Sequence, residues 1–126
     1  MVIMGRWEEA DPMRGMRELL AEKNRADEAR RELLWSEARR AARVLRSLGA
    51  ARVLVFGSLA RDLAVADSDL DLLVVWDTVL PYWERTQAAL AAIRPAVAMD
   101  LLVATPGELA APTDFLKEIL REGVEV

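Results

Sequence analysis

The apolar positions of this chain change period twice. From Met13 to Leu48 there is one glycine, Gly15, and no proline, and Ala, Leu, Arg and Glu, all strong helix formers, dominate. In the second half of that stretch Leu34, Ala38, Ala41, Leu45 and Leu48 recur at spacings of four and three, the stripe of an amphipathic helix. Projected backwards, the stripe meets Arg31, Asp27 and Asn24, so it breaks or rotates there. Two helices, or one long helix with a change of face, both fit. Gly49 supplies the stop. Then three short β-rich runs appear: "ARVLVF" (51–56), "DLDLLVVW" (69–76) and "AVAMDLLV" (96–103). Helices are predicted for "PYWERTQAALAAI" (81–93), with Pro81 in its first turn, and for "TDFLKEILREG" (113–123). Thr113 is placed to cap the second of these and Gly123 to end it, leaving "VEV" for a short edge strand. The order predicts an α/β fold around a small central sheet. Residues 1–26 are read as an N-terminal extension and residues 27–126 as the main domain. Within the extension, the apolar tip "MVIM" and the turn "DP" at Asp11–Pro12 have no firm reading.

Composition narrows the chemistry. The 126 residues fit one domain, and a 53% apolar content is enough for a real core. The absence of Cys excludes disulfides, thiolate catalysis and Cys-ligated zinc. The absence of His removes the commonest general base and the commonest transition-metal ligand. Acid–base or metal chemistry must therefore rest on carboxylates, which favour hard cations such as magnesium or manganese. The net charge of −4 is uneven: residues 1–50 carry eleven Lys or Arg against nine Asp or Glu, and residues 51–126 six against twelve. An acidic body argues against binding along nucleic acid backbones. No apolar run approaches a bilayer span and no leader segment is visible, so a cytoplasmic protein with no membrane partner is expected.

The acidic positions are concentrated where the chain should be apolar. Asp69 and Asp71, two residues apart at the mouth of a strand, project from one face with their Cβ atoms roughly 7 Å apart. Two carboxylates so placed can converge on divalent cations, which in a two-metal site stand about 3.5–4 Å apart. Leu70, Leu72, Val74 and Trp76 take the opposite face and should pack into the core. Asp100, inside "VAMDLLV", repeats the oddity. If buried, it needs a cation, a set of hydrogen bonds or a raised pKa. Simpler accounts remain open: Ser68–Asp69 capping a turn, or an ion pair between Asp100 and Arg61. A calcium loop counted from Asp67 fails, because Leu72 stands where Gly is needed and Thr78 where Glu is needed.

Ahead of the carboxylates stands "FGSLAR". Gly57 permits a tight turn, Ser58 offers a hydroxyl at the start of a short helix, and Arg61 lies one turn further on. It is neither a Walker loop nor a dinucleotide fingerprint. Gly57–Ser58, ten residues, then Asp69-Leu70-Asp71 resembles the signature of the DNA polymerase beta-like nucleotidyltransferase superfamily. "GSLARDLAVADSDLDLLV" is similar to that family's longer pattern, and Asp100 in "AMDLLV" matches its third carboxylate. The ending "FLKEILREGVEV" looks like the close of its minimal members, so the resemblance runs over roughly residues 35–126. One departure is Asp62, where the family often has Gly.

The resemblance implies a small mixed central β-sheet flanked by helices, here with an N-terminal helical extension. It also implies a nucleotidyltransferase using a nucleoside triphosphate, ATP in the first instance. Asp69, Asp71 and Asp100 would be the catalytic and metal-binding residues for Mg2+ or Mn2+, with Gly57, Ser58 and Arg61 at the nucleotide. Larger members carry a second domain for the acceptor, for which this chain has no room. Short members resemble antitoxins encoded beside a HEPN-domain protein, some of which transfer AMP onto a tyrosine of that partner. A HEPN-type protein is therefore the expected partner. The alternatives are a binding module that neutralises its partner by contact alone, or a small-molecule nucleotidyltransferase that forms its acceptor pocket as a homo-oligomer. Arg39, Arg40, Arg43 and Arg46 offer a docking face, although a solvated helix surface is the simpler account of them. Four Trp residues, Trp7, Trp35, Trp76 and Trp83, are many for this length, and any that is exposed would suggest an interface.

Overall fold

The computed structural model describes residues 11–126, so Trp7 and the "MVIM" tip lie outside the described residues. Helix α1, Arg14–Ser47, is a single continuous helix through residues 26 and 27. Its stripe behaves as the spacing requires: Leu34, Ala38, Ala41 and Leu45 are essentially inaccessible, while Leu48 lies beyond the helix and is exposed. Residues 12–26 are all exposed, and burial begins at Asp27. Strand β1 (Ala50–Phe56) follows the turn at Gly49, whose φ of +106° is open to glycine. A one-turn helix α2 (Gly57–Ala60) and an irregular loop lead to β2 (Leu70–Trp76). Helix α3 (Tyr82–Ile93), strand β3 (Met99–Ala104), helices α4 (Pro106–Ala110) and α5 (Asp114–Glu122), and the two-residue strand β4 (Val124–Glu125) complete the order.

The sheet is mixed, in the order β3-β2-β1-β4. β1 pairs antiparallel with β2 and β4, and β2 pairs parallel with β3. One face packs Val53, Val55, Leu70, Leu72, Val74, Leu101 and Val103 against the α1 stripe and against Ala89 and Ile93 of α3. The other face carries Leu54, Leu73 and Ala104 under Ile119 of α5. Each fully buried Leu or Val contributes about 1.5–3 kcal/mol relative to exposure. Leu70, Leu72 and Val74 enter the core as their spacing implied, with Trp76 partly buried beside them. The alternate positions Leu73 and Val75 are buried too, so β2 is covered on both faces.

Two elements depart from the sequence pattern. Helix α4 forms in "TPGEL", whose Pro and Gly suit a loop, because Thr105 and Glu108 make a capping box there with Pro106 at the first helical position. Strand β3 begins at Met99 rather than residue 96. Helix α5 starts as expected, with the Thr113 hydroxyl accepting from the Leu116 amide at 3.2 Å. Because α5 alone delivers Ile119 to the second core, Thr113→Ala is expected to cost about 1 kcal/mol. A urea midpoint that falls for Thr113→Ala but not for Thr113→Ser will check it.

Two buried charges brace the fold. Glu37, 5% exposed, accepts from Arg40 at 2.5 Å and from the Ala96 amide at 2.6 Å; the Arg40 bond foremost holds its carboxyl below the usual range. Arg40 also donates to the carbonyls of Ile93 and Arg94, so it is a tie between α1 and the end of α3 rather than part of a free docking face. Arg46 reaches the Val126 carbonyl, while Arg39 and Arg43 remain exposed. Of the described Trp residues, Trp35 and Trp76 pack on the core and Trp83 is exposed.

Candidate active site

The site forms where β1, β2 and β3 present one face. In the parallel register of β2 and β3, Asp71 stands beside Asp100, and in the antiparallel register of β1 and β2 it stands opposite Phe56. Gly57 therefore enters its turn directly over the Asp71 carboxylate. Its φ is +71°, and a Cβ placed there would overlap Asp71 Oδ2 and sit 3.1 Å from Cγ. Glycine is thus required twice at one position, for the backbone and for the space the carboxylate occupies.

Asp71 is half-buried, and its pKa is pushed up to about 6. Desolvation is the largest cause, followed by the charge and the hydrogen-bonding reach of Asp100 and by the charge of Asp69; Arg61 opposes them. Asp100 is exposed, although Leu101, Val103 and Ala104 of the same strand are buried, so the condition of a buried carboxylate does not arise there. Among the described residues Arg61 makes no ion pair with Asp100; its Nε donates to the Gly57 carbonyl at 3.3 Å. Asp69 lies just outside β2, exposed at the end of the loop, rather than within the strand. The structure therefore brings Asp71 and Asp100 together beneath Gly57 and leaves Asp69 alongside. Among the described residues, no three acidic side chains close into a ready-made metal cluster.

The donor set nonetheless fits a divalent cation. Two carboxylates held side by side with one nearby arginine require a shared proton or a cation, and oxygen-only donors select hard ions. Ser58 sits half-exposed in the one-turn helix α2, next to Gly57. Asp62 adopts φ +59°, a left-handed conformation that suits the glycine often found at this position in the resembled family and that Asp tolerates better than most residues. Its side chain points to solvent, 3.9 Å from Arg31.

On the same face, beyond Asp100, Leu102 and Ala104 floor a cleft of about 170 Å³ walled by Tyr82, Glu108, Phe115 and Leu116. Phe115 meets Phe56 edge-on at 6.5 Å, linking this wall to the strand opposite Asp71. Sequence reasoning passed over both the cleft and three side chains of α1: Asp27, Arg30 and Arg31, which grip the loop between α2 and β2. The one signal was the break in the apolar stripe at Asp27 and Arg31.

The nucleotidyltransferase domain family matches residues 38–124 of the chain, which run from the second half of α1 to the start of β4 and include Gly57, Ser58, Arg61, Asp69, Asp71 and Asp100. The chain belongs to the nucleotidyltransferase domain family. Two solved structures are similar to it. One is a toxin–antitoxin with AMP-PNP, at 20% identity and a TM-score of 0.49, covering 70% of this chain and 70% of that one. The other is described as a candidate minimal nucleotidyltransferase, at 31% identity and a TM-score of 0.43, covering 79% of this chain and 91% of that one. No curated protein matches the chain. No helix among the described residues is long and apolar enough to cross a membrane.

Proposed function

We propose that this chain transfers a nucleoside monophosphate, AMP from ATP, onto a hydroxyl of a partner protein, with Mg2+ or Mn2+ held by Asp69, Asp71 and Asp100. The observation that carries the reading is the convergence of Asp71 and Asp100 under the Gly57 turn in a nucleotidyltransferase domain. When bound, the cation neutralises triphosphate charge and stabilises the in-line displacement. Gly57 and Ser58 hold the terminal phosphates through backbone amides and a hydroxyl, and Arg61 adds positive charge near Asp71. The acceptor oxygen bonds to the α-phosphorus, the bond from that phosphorus to the pyrophosphate oxygen breaks, and Asp100 takes the acceptor proton. Asp100 suits this role because it is solvent-accessible while Asp71 is not fully so.

A protein acceptor is favoured by the surface. Met13 just before α1, and Met16, Leu19 and Leu20 on its first turns, lie exposed, and Trp83 is 62% exposed on α3. The cleft beside Asp100 suits an apolar group of the acceptor. A HEPN-type toxin is the proposed partner, with the transfer as its neutralisation in the cytoplasm. The test is incubation of the full chain with Mg2+ and each nucleoside triphosphate, with and without such a partner, followed by intact-mass measurement. A partner heavier by one AMP is expected with ATP. An unmodified partner, together with no metal-dependent nucleotide binding, would remove the enzymatic reading.

A further inference from the structure

The loop between α2 and β2 carries almost no regular backbone pairing, yet it ends on Asp69 and must present it beside Asp71. Its own internal bonds are few: the Val65 amide donates to Ser68 Oγ at 2.8 Å and the Ser68 amide to the Val65 carbonyl at 3.0 Å, while at its start the Leu63 amide donates back to the Ser58 carbonyl of α2 at 2.8 Å. What ties it to the body of the protein is α1. Arg31 donates to the Ala64 carbonyl at 2.9 Å, and Asp27 accepts from the Ala66 amide at 2.9 Å. Asp27 is itself 7% exposed, and its bond from Lys23 Nζ, the foremost cause, holds its carboxyl below the usual range. Arg30 donates twice to the Ser68 carbonyl, from Nε at 3.0 Å and from Nη2 at 2.8 Å.

The Ser68 carbonyl belongs to the peptide group immediately before Asp69. The peptide group immediately after it is held by the Leu70 amide donating to the Ala98 carbonyl at 3.0 Å. Asp69, exposed and outside any strand, is thus suspended between two pinned peptide planes, one pinned by Arg30. We propose that Arg30 is a positioning residue: its forked contact with Ser68 sets where the Asp69 carboxylate stands relative to Asp71, and so completes the cation site. The inference rests on the metal-binding reading of Asp69, Asp71 and Asp100. It deepens that reading by assigning α1 a part in the chemistry besides packing. Arginine suits the role because its planar fork fixes one carbonyl with two donors, which a lysine cannot reproduce. Groups that orient metal ligands from outside typically change metal affinity by roughly 10- to 100-fold when removed.

The test compares the full chain with Arg30→Met and Arg30→Lys, reading Mn2+ binding by the free-ion spin resonance signal, amide exchange across residues 61–70, and thermal midpoint. Arg30→Met is expected to speed exchange in that segment, weaken Mn2+ binding by about 10-fold or more, and leave the midpoint nearly unchanged. Arg30→Lys is expected to recover part of the affinity. Unchanged exchange in Arg30→Met would overturn the clamp, whatever the metal does. Faster exchange with unaltered Mn2+ affinity would overturn its link to Asp69. Equal affinity losses in both variants, tracking a lowered midpoint, would make Arg30 a structural residue only. A parent chain that binds no Mn2+ would overturn the metal reading, and this proposal with it.

Discussion

The double variant Asp69→Asn plus Asp71→Asn is expected to lose transfer by at least about 1,000-fold while folding as well as the parent, or better. Activity falls because the oxygens that would hold the cation lose their charge, and an amide is a far weaker ligand for a hard ion. Stability moves the other way because of Asp71. Its folded pKa of about 6 lies above the ordinary carboxylate value, so the folded state binds the proton more tightly than the unfolded chain. The stability linked to that proton is complete below about pH 4 and is lost as the pH rises to about 6. Above that, the parent carries an ionised Asp71 against Asp100 and Asp69. Asn keeps the shape and removes the charge. A two-unit shift is worth roughly 3 kcal/mol in a shielded site, but solvent reaches this half-buried group, so a gain of about 1 kcal/mol is expected. Thermal midpoints measured without divalent metal should coincide near pH 4 and separate by several degrees at pH 7 and above. A double variant that unfolds would show the pair to be structural.

Gly57→Ala is expected to damage both fold and function. A φ of +71° costs a residue with a Cβ about 1–2 kcal/mol, and here the added methyl would also occupy the space of Asp71 Oδ2. Either the turn or the carboxylate must shift. Displacing a catalytic group by about 1 Å can reduce a rate by about 100-fold, and transfer should fall at least that far, with a stability loss of about 2 kcal/mol. Rate and urea midpoint should be measured together. A Gly57→Ala protein with near-parental transfer would detach Asp71 from the reacting centre.

Much of the candidate site is legible because its signal is local. The run from Gly57–Ser58 to Asp69-Leu70-Asp71 lies within fifteen consecutive residues, and the alternation Leu70, Leu72, Val74 places the opposite face in the core. Asp100 could be marked from its apolar flanks but not its exposure, because nothing in "VAMDLLV" says how far along β3 its faces are covered by other elements. Helix α4 carries a local signal in its Thr105–Glu108 capping box, but Pro106 and Gly107 give the same stretch the composition of a loop. Arg39, Arg40, Arg43 and Arg46 have the pattern of a solvated helix face, yet Arg40 satisfies the carbonyls of Ile93 and Arg94, far away in the chain.

What the sequence by itself determined was every feature set by short-range spacing: the α1 stripe, the strands, the caps at Thr113 and Gly49, and the Gly-Ser turn leading to two carboxylates. What only the tertiary structure decided was which groups meet. The parallel register that sets Asp71 beside Asp100 and the fork of Arg30 on Ser68, 38 residues away, depend on how separate elements pack. Periodicity follows from the backbone geometry of one segment and can be counted along the chain. Proximity between segments follows from the burial of both sheet faces at once, and no single stretch of sequence contains it.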